Sequence, residues 1–162
     1  MLPSIGLDAV RPWELDDAPA LLAAWSDPDI ARWNGVPPDP DLDQAVRWIS
    51  GATRQTTRSR SVDVVSVNGG MVTGEVGLVI DHTHQRAEVG FWVAPDHRRT
   101  GVGRRLLDAA TVLAPALGIR QAFAITDSAN AASIGLLTAA SWAGVQTTSP
   151  DRRAFIAPTP TR

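Results

Sequence analysis

The 162-residue chain contains no cysteine, no lysine and no tyrosine, and only three glutamates, Glu14, Glu75 and Glu88. Without cysteine there is no disulfide, no thiolate metal site and no cysteine nucleophile. Without lysine there is no Gly-Lys-Ser/Thr phosphate loop of the Walker type. Without tyrosine no phenol can act as an acid, and three glutamates leave few candidates for a carboxylate base. No apolar run is long enough to cross a bilayer, and the N-terminus has no signal-peptide pattern. A cytoplasmic location is therefore the expectation, with no membrane partner. A net charge of −2 provides no global basic field, so no nucleic-acid partner is expected either.

What is present reads as one ordinary globular domain spanning residues 1–162, since 44% hydrophobic and 20% charged residues suffice for a real core. All fifteen basic residues are arginines, and Arg98, Arg99, Arg104 and Arg105 crowd one point of the chain. They flank Glu88-Val-Gly-Phe-Trp-Val-Ala-Pro-Asp-His-Arg-Arg-Thr-Gly-Val-Gly103, which reads as an apolar strand, a basic turn and a helix opening on glycines. Glycines at 101 and 103 let backbone approach a ligand closely. The helix start adds unpaired N–H groups and a positive dipole end. Together these define a site for a phosphate-bearing cofactor. A dinucleotide fingerprint needs a small residue where this chain has Leu106, so that reading is weak.

The remaining pattern is strand, two helices, three antiparallel strands, helix, strand, helix, two strands. A first strand is expected over 7–11, stopped by Pro12. A helix follows the acidic residues Glu14, Asp16 and Asp17, with a short helical turn over 30–33. Three prolines make 35–40 irregular, and helix returns over 42–52. Strands are expected over 62–67 and 73–80, joined by an Asn68-Gly69-Gly70 hairpin turn, and over 87–93. A helix over 103–117, with Pro115 as a kink site and Gly118 as a cap, leads to a strand over 121–126. A helix over 131–140 and a closing hairpin, 142–146 with 153–157, complete the chain. Trp13, Trp25, Trp48 and Trp142 sit on apolar faces and are expected in the core. His82 and His84 form a His-x-His in a turn; with no nearby acid ligand they read as solvated loop residues, and no metal is expected.

Arg98-x-x-Gly101-x-Gly103, in its strand–turn–helix context, resembles the pyrophosphate loop of the GNAT acetyltransferase superfamily. The element order resembles the same fold from about residue 7 to 158. Val10-Arg-Pro-Trp-Glu-Leu-Asp-Asp-Ala, Asp27-Pro-Asp-Ile-Ala-Arg-Trp33, Glu88-Val-Gly-Phe-Trp-Val and Asn130-Ala-Ala-Ser133 resemble the ribosomal-protein N-terminal acetyltransferase branch. The resemblance implies a mixed α+β fold whose central, mostly antiparallel sheet is splayed between its fourth and fifth strands and flanked by helices. It implies acetyl-coenzyme A as co-substrate and acetyl transfer to a primary amine, a small molecule or a protein N-terminus, in a ternary complex. The chain would act as a monomer or homodimer. A non-catalytic acyl-coenzyme A binding or sensing module is the alternative.

By the same resemblance Arg98, Arg99, Thr100, Gly101, Val102, Gly103 and Arg104 meet the pyrophosphate, Phe91, Trp92 and Val93 meet the pantetheine arm, and a backbone N–H near Val93 faces the thioester oxygen. Asn130 contacts the arm or caps a helix. Glu88 is the candidate base, with partial burial expected to raise its pKa toward the working pH, unless it pairs with an arginine and only orients the strand; Glu75 is the other strand glutamate, the alternative base and a candidate at the substrate. Many relatives place a tyrosine seven residues after the asparagine, where this chain has Leu137. Ser133 is therefore the candidate acid, unless its hydroxyl bonds the helix backbone. Trp33, beside the proline-rich loop, either walls the acceptor pocket or packs in the core. Asp39, Asp41 and Asp43 either attract a cation or only begin a helix.

Overall fold

The computed structural model describes residues 10–51 and 60–159. Its centre is a seven-stranded sheet in the order β1-β2-β3-β4-β5-β7-β6. The strands are β1 (Val10–Pro12), β2 (Arg60–Asn68), β3 (Met71–Asp81), β4 (Arg86–Val93), β5 (Gln121–Asp127), β6 (Ala143–Val145) and β7 (Arg152–Ile156). The helices are α1 (Ala18–Trp25), α2 (Pro28–Trp33), α3 (Leu42–Ile49), α4 (Val102–Ala116) and α5 (Ala131–Ala139).

The β-branched run Val62, Val64, Val65, Val67 pairs antiparallel with β3. The turn between them uses Gly69 and Gly70 at φ +57° and +80°, a region that side chains disfavour. At the other end of β3, the Asp81 carboxylate accepts the N–H groups of Thr83 and His84 at 3.0 and 3.2 Å and shapes the turn into β4. Helix α4 then carries the chain back so that β5 runs parallel to β4.

That parallel pairing is short. It covers only Arg86↔Gln121, Ala87↔Ala122 and Glu88↔Phe123. Beyond it β4 stays paired with β3 as far as Val93, and β5 stays paired with β7 as far as Asp127. The two strands part, as the splayed sheet requires, and all other pairings are antiparallel.

Two cores lie on opposite faces. On one, α4 turns Val102, Leu106, Ala110, Leu113 and Ala114 onto Val64, Val76, Leu78, Ile80, Ala87 and Val89. Those helical residues recur at three- and four-residue spacing. Leu106 and Leu107 are fully buried, each contributing about 1.5–3 kcal/mol by the area it removes from water. On the other face, α1–α3 pack Leu21, Trp25, Ile30 and Ala45 onto Val65, Val72 and Trp92. Trp13 stacks edge-on to Trp48 at 6.0 Å and tilts toward Trp92 at 6.3 Å, and Trp25 meets Trp48 at 6.3 Å. Trp142 is buried in the first core.

Three local expectations change. Strand β1 ends at Pro12 but includes it, because an edge strand tolerates a missing N–H. Residues 28–33 form a helix of their own, with Pro28 in its first turn and the Asp27 carboxylate accepting the Ile30 N–H at 2.9 Å. Pro115 sits in the last turn of α4, which runs on to Ala116 before Gly118 turns at φ +76°. The expected starts of the first strand at 7–9 and the helix end at Ala52 lie outside the described residues.

Candidate active site

A cavity of about 1020 Å³ opens where β4 and β5 part. Its walls are Val89 to Val93 on β4, Ala124 to Thr126 on β5, the α4 start, the first turns of α5, and Trp33 and Asn34 at the end of α2. The Ala94 N–H is held by the Thr73 carbonyl of β3 at 2.9 Å. Successive strand residues aim their N–H groups to opposite sides, so Val93 and Phe91 direct theirs into the gap. Strand β4 therefore offers an unpaired ladder along the cavity wall.

At the α4 start the backbone is shaped for an anion. Arg99 lies at φ +62° and Gly101, the residue before the helix, at φ +86°. Alternation of this kind curls successive N–H groups into a concave nest. Gly101 has no side chain to cap the helix, and the first helical bond runs from the Arg105 N–H to the Gly101 carbonyl at 3.1 Å. The N–H groups of Val102, Gly103 and Arg104 have no carbonyl partner within the helix.

The arginines divide sharply. Arg98 donates to Asp27 at 2.8 Å, to Asp29 at 3.2 Å and to the Val93 carbonyl at 3.3 Å. Burial works against ionisation of Asp27, but the Ile30 amide and the Arg98 guanidinium outweigh it and hold its pKa below the ordinary carboxylate value. Arg98 thus ties the end of β4 to the start of α2. Arg104 is held by Asp108 at 2.9 Å and by the Ala139 carbonyl at 3.1 Å. Arg99 lines the cavity and has no ion pair among the described residues. Thr100 donates to the His97 carbonyl at 2.6 Å, and the Val102 side chain belongs to the first core.

Gly103 has a second reason to be glycine. A Cβ there would stand 2.6 Å from Cδ2 of Leu136 on α5, so the bare backbone lets α4 and α5 touch. Gly74 acts likewise: a Cβ would meet the Trp92 carbonyl oxygen at 2.7 Å and Leu106 at 3.0 Å. It lets α4 settle on the sheet beside the gap, a role with no motif to announce it.

On α5 the Asn130 side chain is buried and its oxygen accepts the Ser133 N–H at 3.1 Å, capping the helix. Ser133 lines the cavity, and its hydroxyl bonds no backbone carbonyl among the described residues, unlike that of Thr138, which donates to the Ile134 carbonyl at 2.8 Å. Leu137, at the position where relatives carry tyrosine, is fully buried.

Glu88 lacks the partial burial expected of it, and Glu75 lies away from the expected substrate side. Glu88 is exposed and does not line the cavity. It shares a face of β4 with Gly90 and Trp92, but α1–α3 cover only the Trp92 end of that face. Glu75 is buried and accepts the Trp92 indole N–H at 2.6 Å, within the second core and off the cavity wall. Asp41 caps α3 through the Gln44 N–H at 2.7 Å, and none of Asp39, Asp41 or Asp43 lines this cavity. The His-x-His turn does have an acid beside it, contrary to the expectation from sequence: His84 pairs with Asp81 at 2.6 Å, in an exposed turn. No helix among the described residues is long and apolar enough to cross a membrane.

Splayed strands, a free β4 ladder and an anion nest at a helix start form the frame of an acyl-coenzyme A transferase. Residues 9–141 match the family model described as Acetyltransferase (GNAT) domain, and the chain belongs to that family, as an acyl-coenzyme A-dependent acetyltransferase. It is 26% identical over 125 residues to the uncharacterized N-acetyltransferase YoaA of Bacillus subtilis, covering 75% of this chain and 71% of YoaA. Among solved structures it resembles a ribosomal-protein-alanine N-acetyltransferase from Brucella melitensis, with TM-score 0.68, 22% identity and coverage of 91% and 96% of the two chains. It also resembles a chimera of Vibrio cholerae spermidine N-acetyltransferase and hSSAT, with TM-score 0.70, 14% identity and coverage of 91% and 94%.

Proposed function

We propose that this chain transfers an acetyl group from acetyl-coenzyme A to a primary amine, a small molecule or a protein N-terminus, by direct attack in a ternary complex. The observation that carries the reading is the juxtaposition of the anion nest at Arg99–Arg104 with an unpaired β4 edge on one continuous cavity. The residues present fit the donor. The N–H groups of Val102, Gly103 and Arg104, with Arg99, would hold its pyrophosphate. Phe91 and Val93 would bond its amide-bearing arm as an added strand, with Trp92 between them keeping β4 in place. Asn130 lines the same cavity and would hold the arm through its side-chain amide.

The donor supplies the acetyl thioester and departs with the thiol. The acceptor nitrogen forms the new C–N bond as the C–S bond breaks. The Val93 N–H stabilises the negative charge developing on the carbonyl oxygen. Ser133 Oγ donates the proton that the departing sulfur requires. Glu88 would take the ammonium proton only through a chain of waters, because along β4 it stands five residues, about 17 Å, from Val93. Glu75 holds Trp92 and orients β4. Trp33 walls the acceptor side.

A second reading, non-catalytic acyl-coenzyme A binding, rests on one observation: neither strand glutamate lines the cavity. Thiol release from acetyl-coenzyme A, measured with and without a panel of amines that includes short peptides with free N-termini, separates the two. Amine-dependent release is the expected result. Tight coenzyme A binding with no amine-dependent release would refute transfer and establish the second reading.

A further inference from the structure

A smaller cavity, of about 230 Å³, adjoins the first and shares Trp33, Asn34, Ile125, Thr126 and Asn130 with it. The residues that belong to it alone are Arg32, Asp127 and Arg152. Arg32 lies over the Trp33 ring with its guanidinium carbon 4.5 Å from the ring centroid, which orients it at the cavity rim. Arg152 opens β7 and stands in register with Asp127 at the end of β5. Asp127 is fixed by accepting the Ala129 N–H at 2.8 Å.

The charges here are not neutralised from within. Arg11, Arg98 and Arg104 each have a carboxylate partner, whereas Arg32 and Arg152 have none within 4.0 Å among the described residues. Asp127 has no cation at that distance either. Two exposed arginines and one aspartate without charge partners among the described residues therefore line a small space that adjoins the parting of β4 and β5.

We propose that this cavity selects acceptors that carry an anionic group close to the reacting amine. Asp127 receives the ammonium, and Arg32 and Arg152 receive the anion, for which the fork of a guanidinium is suited. The chemistry is that of a free α-amino acid, and equally of a peptide whose N-terminal residue has a carboxylate side chain. A polyamine would press a second ammonium against two guanidinium groups, and like charges so placed disfavour binding strongly. The inference rests on the acetyl-transfer reading above and narrows its acceptor.

The test compares kcat/KM at saturating acetyl-coenzyme A for matched acceptors. These are amino acids against their carboxamides, peptides beginning with Asp or Glu against Asn or Gln, and spermidine. Carboxylate acceptors should be favoured by about tenfold or more, chiefly in KM. The arm with the larger ratio identifies the source. In the double variant Arg32→Gln with Arg152→Gln that ratio should collapse toward one, and Arg152→Glu should shift preference toward spermidine. Equal or better use of the carboxamides or spermidine by the natural chain would overturn this proposal alone, as would a ratio that survives in the double variant. Coenzyme A binding with no amine acetylated would overturn the acetyl-transfer reading and this proposal with it.

Discussion

Removing Arg98 distinguishes a phosphate contact from a structural tie. Its side chain spans Asp27, Asp29 and the Val93 carbonyl. Deleting it alone would leave two carboxylates near the nest and repel a phosphate whatever the native role. The informative perturbation is the double variant Arg98→Ala with Asp29→Asn, which removes one charge of each sign and keeps the net charge of the trio. Arg98 is 36% exposed, Asp27 16% and Asp29 71%, so solvent screens the outer pair almost entirely. The inner pair with its hydrogen bonds amounts to about 1–2 kcal/mol after that discount. For a chain of this size that lowers Tm by roughly 2–8 °C. The end of α2 carries Trp33 and Asn34, so a loosened helix should raise the acceptor KM by about tenfold, equivalent to about 1.4 kcal/mol. Coenzyme A affinity, by calorimetry, should stay within about threefold, because on the proposed reading backbone amides and Arg99 would hold the pyrophosphate. A tenfold or greater loss of coenzyme A affinity with Tm unmoved would refute the tie and return Arg98 to the phosphate.

Gly103→Val should lower stability by about 1–3 kcal/mol through overpacking against Leu136, and a second change, Leu136→Ala, should recover part of it; an unaltered Tm in thermal denaturation would remove the packing role. Ser133→Ala should reduce kcat by about tenfold, since water can replace the hydroxyl, and a normal kcat would exclude it as the acid. Glu88→Gln should lower turnover by about 10²-fold at neutral pH with coenzyme A affinity little changed, and normal turnover from about pH 6 to about pH 9 would move the base elsewhere. Asp17 accepts two hydrogen bonds from Arg11 at 2.6 and 2.9 Å, and these hold its pKa below the ordinary value against the effect of burial. A folded pKa below the unfolded one means the folded chain binds fewer protons, so this stabilisation is present above the unfolded value of about 3.9 and lost as pH falls through the folded one. The Tm gap between the natural chain and Asp17→Asn should therefore be constant near neutrality and close below about pH 4. A gap that widens in acid would contradict it.

Local chemistry made most of the scaffold legible in the chain itself. Alternating valines, Asn68-Gly69-Gly70 and the run from Val102 to Leu113 depend on neighbours within a few residues, and they form the elements their spacing requires. The glycine-rich helix start was equally readable, because a positive φ at Gly101 and unpaired N–H groups are properties of a short segment. What the tertiary structure alone decided is which charges remain available. Arg98 meets carboxylates about seventy residues away in the chain, Arg104 meets a carbonyl on α5, and only Arg99 of the cavity-lining cluster keeps a free charge. Glu88 and Glu75 carry the same group on adjacent strands, yet one faces water and the other a tryptophan indole, because α1–α3 cover only one end of that sheet face. The union of Arg32, Asp127 and Arg152 at one cavity belongs to the same class. Periodicity assigns a residue to a face; whether that face is covered, and by which distant charge, depends on how the helices pack across it.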